Sequence, residues 1–410
     1  MSDDRPIPTP GPSDLPTFTV MSAGEALPSA TRVETVSVWR RFNKVAEAVV
    51  VVLDGDAATE DWGFTWSQER ASATEDWAAS NEASLVPGAE IEVHAGYHSD
   101  EARIFKGVAV RHAIEAGEMG PSRLRVTCKD AAVALTVGRK SAIWVDTSDQ
   151  DVIGEIAQAA GLDTSLDVTG PTHPELVQID ALDWDFVVAR AEACGALVAT
   201  DDGTLRVEPP DPGAEPVLDL RYGGNVLALA LSADARDQLA GVEAVAWSPA
   251  DQAVVTAEGT ASVTPPGDLS ADDLAAVASP DPVRMRHGGA VAEEELQAWA
   301  DARLLRSRLA QVRGTVRIKG FADVWPGSTV GLAGVGTRFP GTAFVAGVGH
   351  ELASGKWETT LEIGLDPGWF VESHADVTAA SAGGLVPAAR GLSVGVVTAL
   401  EGDPGEAFHI

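Results

Sequence analysis

The stretch Asp180–Pro209, DALDWDFVVARAEACGALVATDDGTLRVEPP, reads as one folded unit. Asp183 is placed as the N-cap of a helix, with Trp184, Asp185 and Phe186 opening its first turn. Phe186, Val187, Ala189, Arg190 and Ala193 follow helical spacing. Gly195 supplies the left-handed residue that ends the helix. A strand from Ala196 to Thr200 runs into Asp202-Gly203, a pair that favours positive φ and a tight hairpin. Leu205 and Val207 return as the second strand, and Pro209-Pro210 stop it. The unit is a helix plus a hairpin, it holds no catalytic motif, and it lies between two β-rich stretches.

Outward from that unit, the 410 residues are enough for roughly two to four domains with their own cores. A hydrophobic content of 45% with 22% charged residues is globular. The net charge of −32 argues against contact with nucleic acid or an anionic membrane through a basic face. Acidic residues are scattered rather than massed in a tail, which suits solubility. Two cysteines, Cys128 and Cys194, make neither a metal-ligand set nor a disulfide framework, and both are read as buried thiols. The N-terminus MSDDRPIPTPGPSDLP lacks the basic-then-apolar order of a signal peptide, and no apolar run approaches membrane-spanning length.

Residues 1–16 are proline-rich and read as an extended arm. Strands follow at Phe18–Val20, at Arg32–Arg40 with alternating Val33, Val36 and Val38, and at Ala48–Leu53, with Asp54-Gly55 as a turn. The pentapeptide ATEDW occurs at Ala58–Trp62 and Ala73–Trp77, which is too little for a repeat architecture. Pro87-Gly88 introduces the strand Ala89–Tyr97, then a polar turn and strands at Arg103–His112 and Arg123–Cys128: an antiparallel meander of the kind that closes into a barrel. The device returns late in the chain. Val312–Lys319 is a strand, Pro326-Gly327 introduces STVGLAG, and Phe344–His350 and Trp357–Gly364 follow. The fold class expected is therefore mostly β, with two related antiparallel barrels at 17–145 and 213–370 and a small α/β insert at 146–212. Asp149–Gly161 and Val291–Leu309 are helices, the latter acidic at its start and basic at its end. Asp251–Pro282 reads as a surface loop with a short helix. Residues 371–390 are a linker, and GLSVGVVTAL (Gly391–Leu400) begins a new strand within 391–410.

Nothing in the sequence assembles a catalytic centre. The eight histidines make no HExxH and no ligand pair at helical spacing. Ser393 in GLSVG precedes a strand rather than the helix of a nucleophile elbow, and Ser22 in MSAGE has no partner motif. GLAGVGTRFPG (Gly331–Gly341) lacks the lysine and the strand-then-helix setting of a phosphate loop. The carboxylates around Asp54-Gly55-Asp56 lack the ligand order of an EF-hand. Asp183 and Asp185 are paired carboxylates, but a helix start gives them a capping role first. No cofactor, metal or catalytic residue is assigned. A secreted hydrolase with β-domains and a surface adhesin are competing readings; the first needs a nucleophile–base pair or metal site, the second a signal peptide.

Several segments carry a resemblance together: PGAEIEVHAGYHSDEARIFKGV (Pro87–Val108), CKDAAVALTVGRK (Cys128–Lys140), VQIDALDWDFVVARAEACG (Val177–Gly195), PGSTVGL (Pro326–Leu332), Gly349-His350 and GKWETTLEIGL (Gly355–Leu365). In them the chain resembles the late-control D and VgrG-like hub proteins of contractile tails, and most nearly the hub-and-spike protein of extracellular contractile injection systems. The motif positions are Pro87, Gly88, Gly96, Tyr97, Phe105, Gly107, Asp183, Trp184, Phe186, Pro326, Gly327, Gly349 and His350. The resemblance implies a homotrimer in which two tube-like barrels per subunit seat a six-fold inner tube on a three-fold spike. It implies the inner tube protein, baseplate proteins and a spike or spike-tip protein as partners, and assembly in the cytoplasm into a tail-like particle that can be released. It gives Gly391–Leu400 the role of the first strand of an OB-fold leading to the spike, with Val394, Val396 and Val397 at the junction. A contractile phage tail hub and a type VI secretion VgrG are alternatives within the same family.

Overall fold

The structure is a computed structural model that describes residues 14–56, 79–116, 121–248, 251–287, 291–374 and 377. Both ATEDW copies, most of the N-terminal arm, and the expected OB-fold strand with Val394, Val396 and Val397 lie outside the described residues. The first seven strands are β1 (Pro16–Ser22), β2 (Glu25–Ala26), β3 (Arg32–Arg41), β4 (Lys44–Asp56), β5 (Glu90–Tyr97), β6 (Asp100–Glu115) and β7 (Pro121–Lys129). All their pairings are antiparallel, in the order β3-β4-β7-β6-β5-β1-β2. Period-two alternation decides what goes inside: Val36 and Val38 of β3, Val50 and Val52 of β4, Ile91 and Val93 of β5 and Leu124 and Val126 of β7 fill one core. The strand β4 runs on through Asp54-Gly55, where a turn was expected. The reason is tertiary: the Asp54 carboxylate accepts from the backbone N–H groups of Ala79 and Ser80, each at 2.9 Å, rather than turning its own chain.

An α/β unit follows: β8 (Arg139–Ser148), α1 (Asp149–Ala159), β9 (Asp163–Leu166), β10 (Thr172–Leu182), α2 (Asp183–Ala193), β11 (Leu197–Asp201) and β12 (Thr204–Glu208). Ser148 caps α1, its hydroxyl accepting from Asp151 N–H. The opening stretch folds as its pattern requires. Gly195 ends α2 at φ 74°, and Asp202 and Gly203, at φ 53° and 97°, form a two-residue turn between β11 and β12. Asp183 departs from its expected role. The N-cap of α2 is Leu182, which makes no side-chain cap bond. Asp183 is the first helical residue, and its buried carboxylate accepts from Gln178 Nε2 at 3.0 Å and Lys140 Nζ at 2.5 Å.

The second barrel is interrupted. Its strands are β13 (Leu218–Arg221) and β14 (Val226–Ala233), and then, beyond an excursion, β18 (Val312–Lys319), β19 (Thr329–Ala333), β20 (Gly341–Ala353) and β21 (Lys356–Ile363). The excursion holds β15 (Val242–Ser248), β16 (Ala253–Glu258), α3 (Ala271–Ala278), β17 (Val283–His287) and α4 (Glu293–Leu309). Composition suggested a loop with a short helix over Asp251–Pro282. The structure has that helix, α3, but β16 pairs with β15 along Ala253–Glu258, and α4 covers the sheet with Leu296, Ala300 and Leu304 on Val242, Ala244 and Ala246. Alanines serve as core there because the helix lies close to the strands. The chain then passes through α5 (Phe370–Ser373).

The two barrels are one sheet. β20 pairs antiparallel with β3 from Gly347↔Arg41 to Ala353↔Thr35, so the strand order runs β14-β18-β21-β20-β3-β4-β7-β6 without a break. Close approach is enforced at Gly349, where a Cβ would lie 2.5 Å from the Trp39 indole. Leu352 and Trp357, from the second half, are buried in the first barrel's core.

Candidate functional site: the joint between the barrels

Several buried polar side chains converge where both barrels meet the α/β unit. At the tip of the β11–β12 hairpin, the Asp202 carboxylate accepts from Arg40 Nη2 at 2.6 Å, Arg103 Nε at 2.8 Å and the Lys106 backbone N–H at 2.9 Å. Gly203 N–H donates to Asp130 Oδ2 at 2.9 Å. The hairpin tip is thereby clamped to β3, to β6 and to the residue after β7. Arg40 is only 4% exposed, and its guanidinium lies over the Trp325 ring at 3.7 Å, next to Pro326-Gly327 of the second barrel. Burial pulls the Arg40 guanidinium below its ordinary range, against the opposing pull of Asp202, Asp201 and Asp130.

The helix α2 forms the other half of the joint. Glu192, 2% exposed, accepts from Asn43 Nδ2, Arg306 Nη1 of α4 and the Phe370 N–H of α5, each at 2.6 Å. Burial raises its carboxyl above the usual range while Arg306 lowers it. Asn43, at φ 57° in the β3–β4 turn, also bonds both ways to Val198 of β11. Two residues back along α2, Arg190 donates to Asp149 at 2.5 and 3.0 Å, and His173 Nε2 lies 2.8 Å from the same carboxylate. Burial alone would raise Asp149; the Arg190 and His173 contacts win and hold it below the usual carboxylate range. Glu295 of α4 approaches Arg190 at 3.6 Å, tying the excursion of the second barrel to α2. Beneath α2 is a cavity of about 710 Å³ whose lining includes Trp39, Lys44, Trp184, Arg306 and Phe370.

The family-motif positions divide between the two barrels and α2. Gly88 at φ 96° and Gly327 at φ 99° each lead into a strand, β5 and β19. Their N–H groups donate to Ala109 O at 2.8 Å and Val345 O at 2.9 Å, so Pro87-Gly88 and Pro326-Gly327 hold equivalent places. Gly96 and Gly107 sit against backbone: a Cβ would come 1.8 Å from Asp100 O and 2.2 Å from Lys129 O. Phe105 is wholly buried in the first core, and Tyr97 packs on Trp357 at 5.5 Å. Trp184 and Phe186 are 6% and 9% exposed in the core of the α/β unit. His350 lies in the β20–β3 joint, Nδ1 3.0 Å from Thr359 Oγ1, and burial with the nearby Arg40 charge pushes its pKa down to about 3. Arg40, Asn43 and Glu192 were not singled out by sequence, and Asp202 was read only as a turn residue. A turn Asp and a helical Glu announce no tertiary partner, and only the rarity of a buried Arg on an alternating strand hints at Arg40.

The groups here are held rather than poised to react. Burial pushes the Cys194 thiol up to about 12, and His173 and Arg190 are spent on Asp149. Among the described residues no three His, Cys, Asp or Glu side chains converge as a metal ion would need, and no helix is long and apolar enough to cross a membrane.

This fold is shared with solved structures of tail proteins. The structure is similar to the 43 kDa tail protein of prophage MuSo2 from Shewanella oneidensis, at 10% identity and TM-score 0.62, over 86% of this chain and 98% of that one. It is similar to the tail protein from Neisseria meningitidis MC58 at 15% identity and TM-score 0.61, over 86% and 98% of the two chains. It also resembles the E. coli c3393 protein, a component of the type VI secretion system, at 14% identity and TM-score 0.50, over 85% and 76%. No curated protein matches the sequence. The chain belongs to the family of the Alg8 N-terminal domain, whose family model matches residues 12–354.

Proposed function

We propose that the chain is a structural, non-enzymatic hub of a contractile injection system baseplate: a homotrimer that joins a six-fold inner tube to a three-fold spike and carries thrust when the sheath contracts. The observation that carries this reading is the fusion of two barrels into one sheet through β20 and β3. A subunit with two like barrels meets a six-fold ring with three copies and a three-fold spike with the same three. Load entering either barrel is shared through backbone hydrogen bonds and through the buried Asp202 and Glu192 clamps, rather than through a hinge. Its partners are itself, the inner tube protein, other baseplate proteins and a spike or spike-tip protein, and its place is in a tail-like particle. The likeness to tail proteins supports the structural role, and the buried, paired state of the polar groups supports the absence of catalysis.

The test is a cryo-EM map of the assembled particle, with the mass of the purified chain beside it. Three copies at the junction of tube and spike are expected. A stable monomer with no affinity for the tube protein would count against the hub. The same map separates an injection particle from a phage tail or a type VI secretion VgrG by its neighbours.

A further inference from the structure

Ala142-Ile143-Trp144-Val145 of β8 and Leu176-Val177-Gln178-Ile179 of β10 are apolar at nearly every position. Such runs belong to strands covered on both faces, whereas a strand covered on one face alternates. The strand β7 alternates in that way, with Arg125 and Thr127 between the buried Leu124, Val126 and Cys128. The β8–β10 ribbon does not, although only one of its faces is covered.

Among the described residues the two strands pair only with each other, with Ile143 opposite Val177, Trp144 opposite Leu176 and Val145 opposite Glu175. Trp144 and Leu176 point inward and share a core with Val152 and Ile153 of α1 and with Phe186 of α2, the Trp144 ring stacking on Phe186 at 5.8 Å. The residues between them point the other way. Ile143 is 65% exposed, Val145 51%, Val177 39% and Ile179 64%. Period-two alternation puts these four on one face, as a β-branched patch that spans both strands.

The margin of the patch is acidic. Glu175 stands opposite Val145, Asp146 follows Val145 at φ 50°, and Asp180 follows Ile179 at φ 42°. The arginine and lysine of the ribbon are turned elsewhere: Arg139 donates to the Asp180 carbonyl at 2.7 Å, and Lys140 to the Asp183 carboxylate at 2.5 Å. An apolar centre with an acidic rim is complementary to apolar side chains flanked by Lys or Arg. Charge therefore separates the occupants. An anionic membrane is repelled by the rim and by a net charge of −32. A second copy of this chain, with 61 acidic residues to 29 basic ones, is a poorer match than a basic protein segment.

We infer that the outer face of β8–β10 is a docking surface for a basic, amphipathic segment of another protein. Its apolar side chains cover Ile143, Val145, Val177 and Ile179, and its Lys or Arg side chains meet Glu175 and Asp146. The segment completes on the outside the layer that α1 and α2 form on the inside. That this protein is a component of the same particle rests on the hub role proposed above.

The test uses the full chain in purified particles. Ile143 is replaced by the photo-reactive amino acid p-benzoylphenylalanine, the particles are irradiated, and the adduct is mapped by mass spectrometry. The expected adduct joins position 143 to a different protein, at a segment with Lys or Arg within a few residues of the contact, and D146K with E175K is expected to lower its yield. I143D is expected to deplete that protein from the particles while leaving the free chain's melting temperature unchanged, since the side chain is exposed. In the unsubstituted chain, hydrogen exchange at residues 142–145 and 176–179 is expected to slow on incorporation. An adduct to another copy of this chain, an adduct at an acidic segment, or no adduct with unchanged exchange in particles that contain the chain overturns this inference and leaves the hub standing. Particles that assemble without the chain overturn both.

Discussion

Asp202 occupies a turn position whose left-handed backbone its residue type tolerates, and a turn is all that local chemistry asks of it. The fold asks more, since its carboxylate pairs with Nη2 of Arg40, which is 4% exposed, and accepts from the Lys106 N–H. Removing one partner of a buried pair leaves the other charge without compensation, which costs about 3–5 kcal/mol. Asp202→Ala is therefore expected to destabilise the chain by that amount in urea unfolding, with Asp202→Asn losing less because it keeps an acceptor. A D202A midpoint equal to the parent's would show that the clamp carries no energy. Trp184, 6% exposed in the first turn of α2, is a case of packing alone. Trp184→Ala is expected to cost ~3–5 kcal/mol, from lost transfer energy and the cavity left behind. Stability within error of the parent would refute its role in that core.

At the scale of elements, α2 is the brace. Through Glu192 it holds the β3–β4 turn, α4 and α5 at once. Glu192→Ala is expected to leave the barrels folded while loosening their mutual attachment. Hydrogen exchange should quicken at residues 42–44, 303–309 and 366–373, with the β4–β7 ladder unchanged. Uniform exchange across all of these would deny the brace. The helix itself was legible, because apolar residues at helical spacing and Gly195 as a stop are local signals. So were the strands from β3 to β7 and from β18 to β21, through alternation or β-branched runs, with Pro-Gly introducing β5 and β19. What Asp183 bonds to was not legible: a carboxylate at a helix start reads as a cap, and its choice of Gln178 and Lys140 depends on β10 and β8 arriving beside it. Nor was the sheet of β15, β16 and β17, whose strands carry a weak periodic signal and whose Val242, Ala244, Ala246 and Ala257 become core only when α4 covers them. The joint was beyond reach for a similar reason. Arg40 and Glu192 meet partners more than a hundred residues away, at Asp202 and Arg306.

For the whole molecule, the joint between the barrels should be acid-sensitive, and His350 is the reason. It sits on β20 opposite Val38 of β3, 3% exposed, with Thr359, the Trp357 ring and the Arg40 charge around it. Burial, assisted by Arg40, pushes its pKa down to about 3. An unfolded histidine titrates near 6.5, so above that pH neither state is charged and the contribution of His350 is fully present. As pH falls from about 6.5 towards 3, the unfolded chain takes up a proton that the folded chain refuses, and stability drops by up to about 1.4 kcal/mol per pH unit. Asp149 adds to the loss at lower pH, because its carboxyl is held below the usual range and its stabilisation disappears as that lowered pKa is crossed. Glu192 acts in the opposite sense, since its carboxyl is raised and the folded state gains its proton first. Unfolding free energies measured between pH 7 and 4 should therefore fall with a slope that His350→Gln makes shallower by close to one proton. Exchange at the β20–β3 ladder should accelerate before that at β4–β7. Parallel slopes for parent and variant would mean that the histidine reaches solvent in the folded chain.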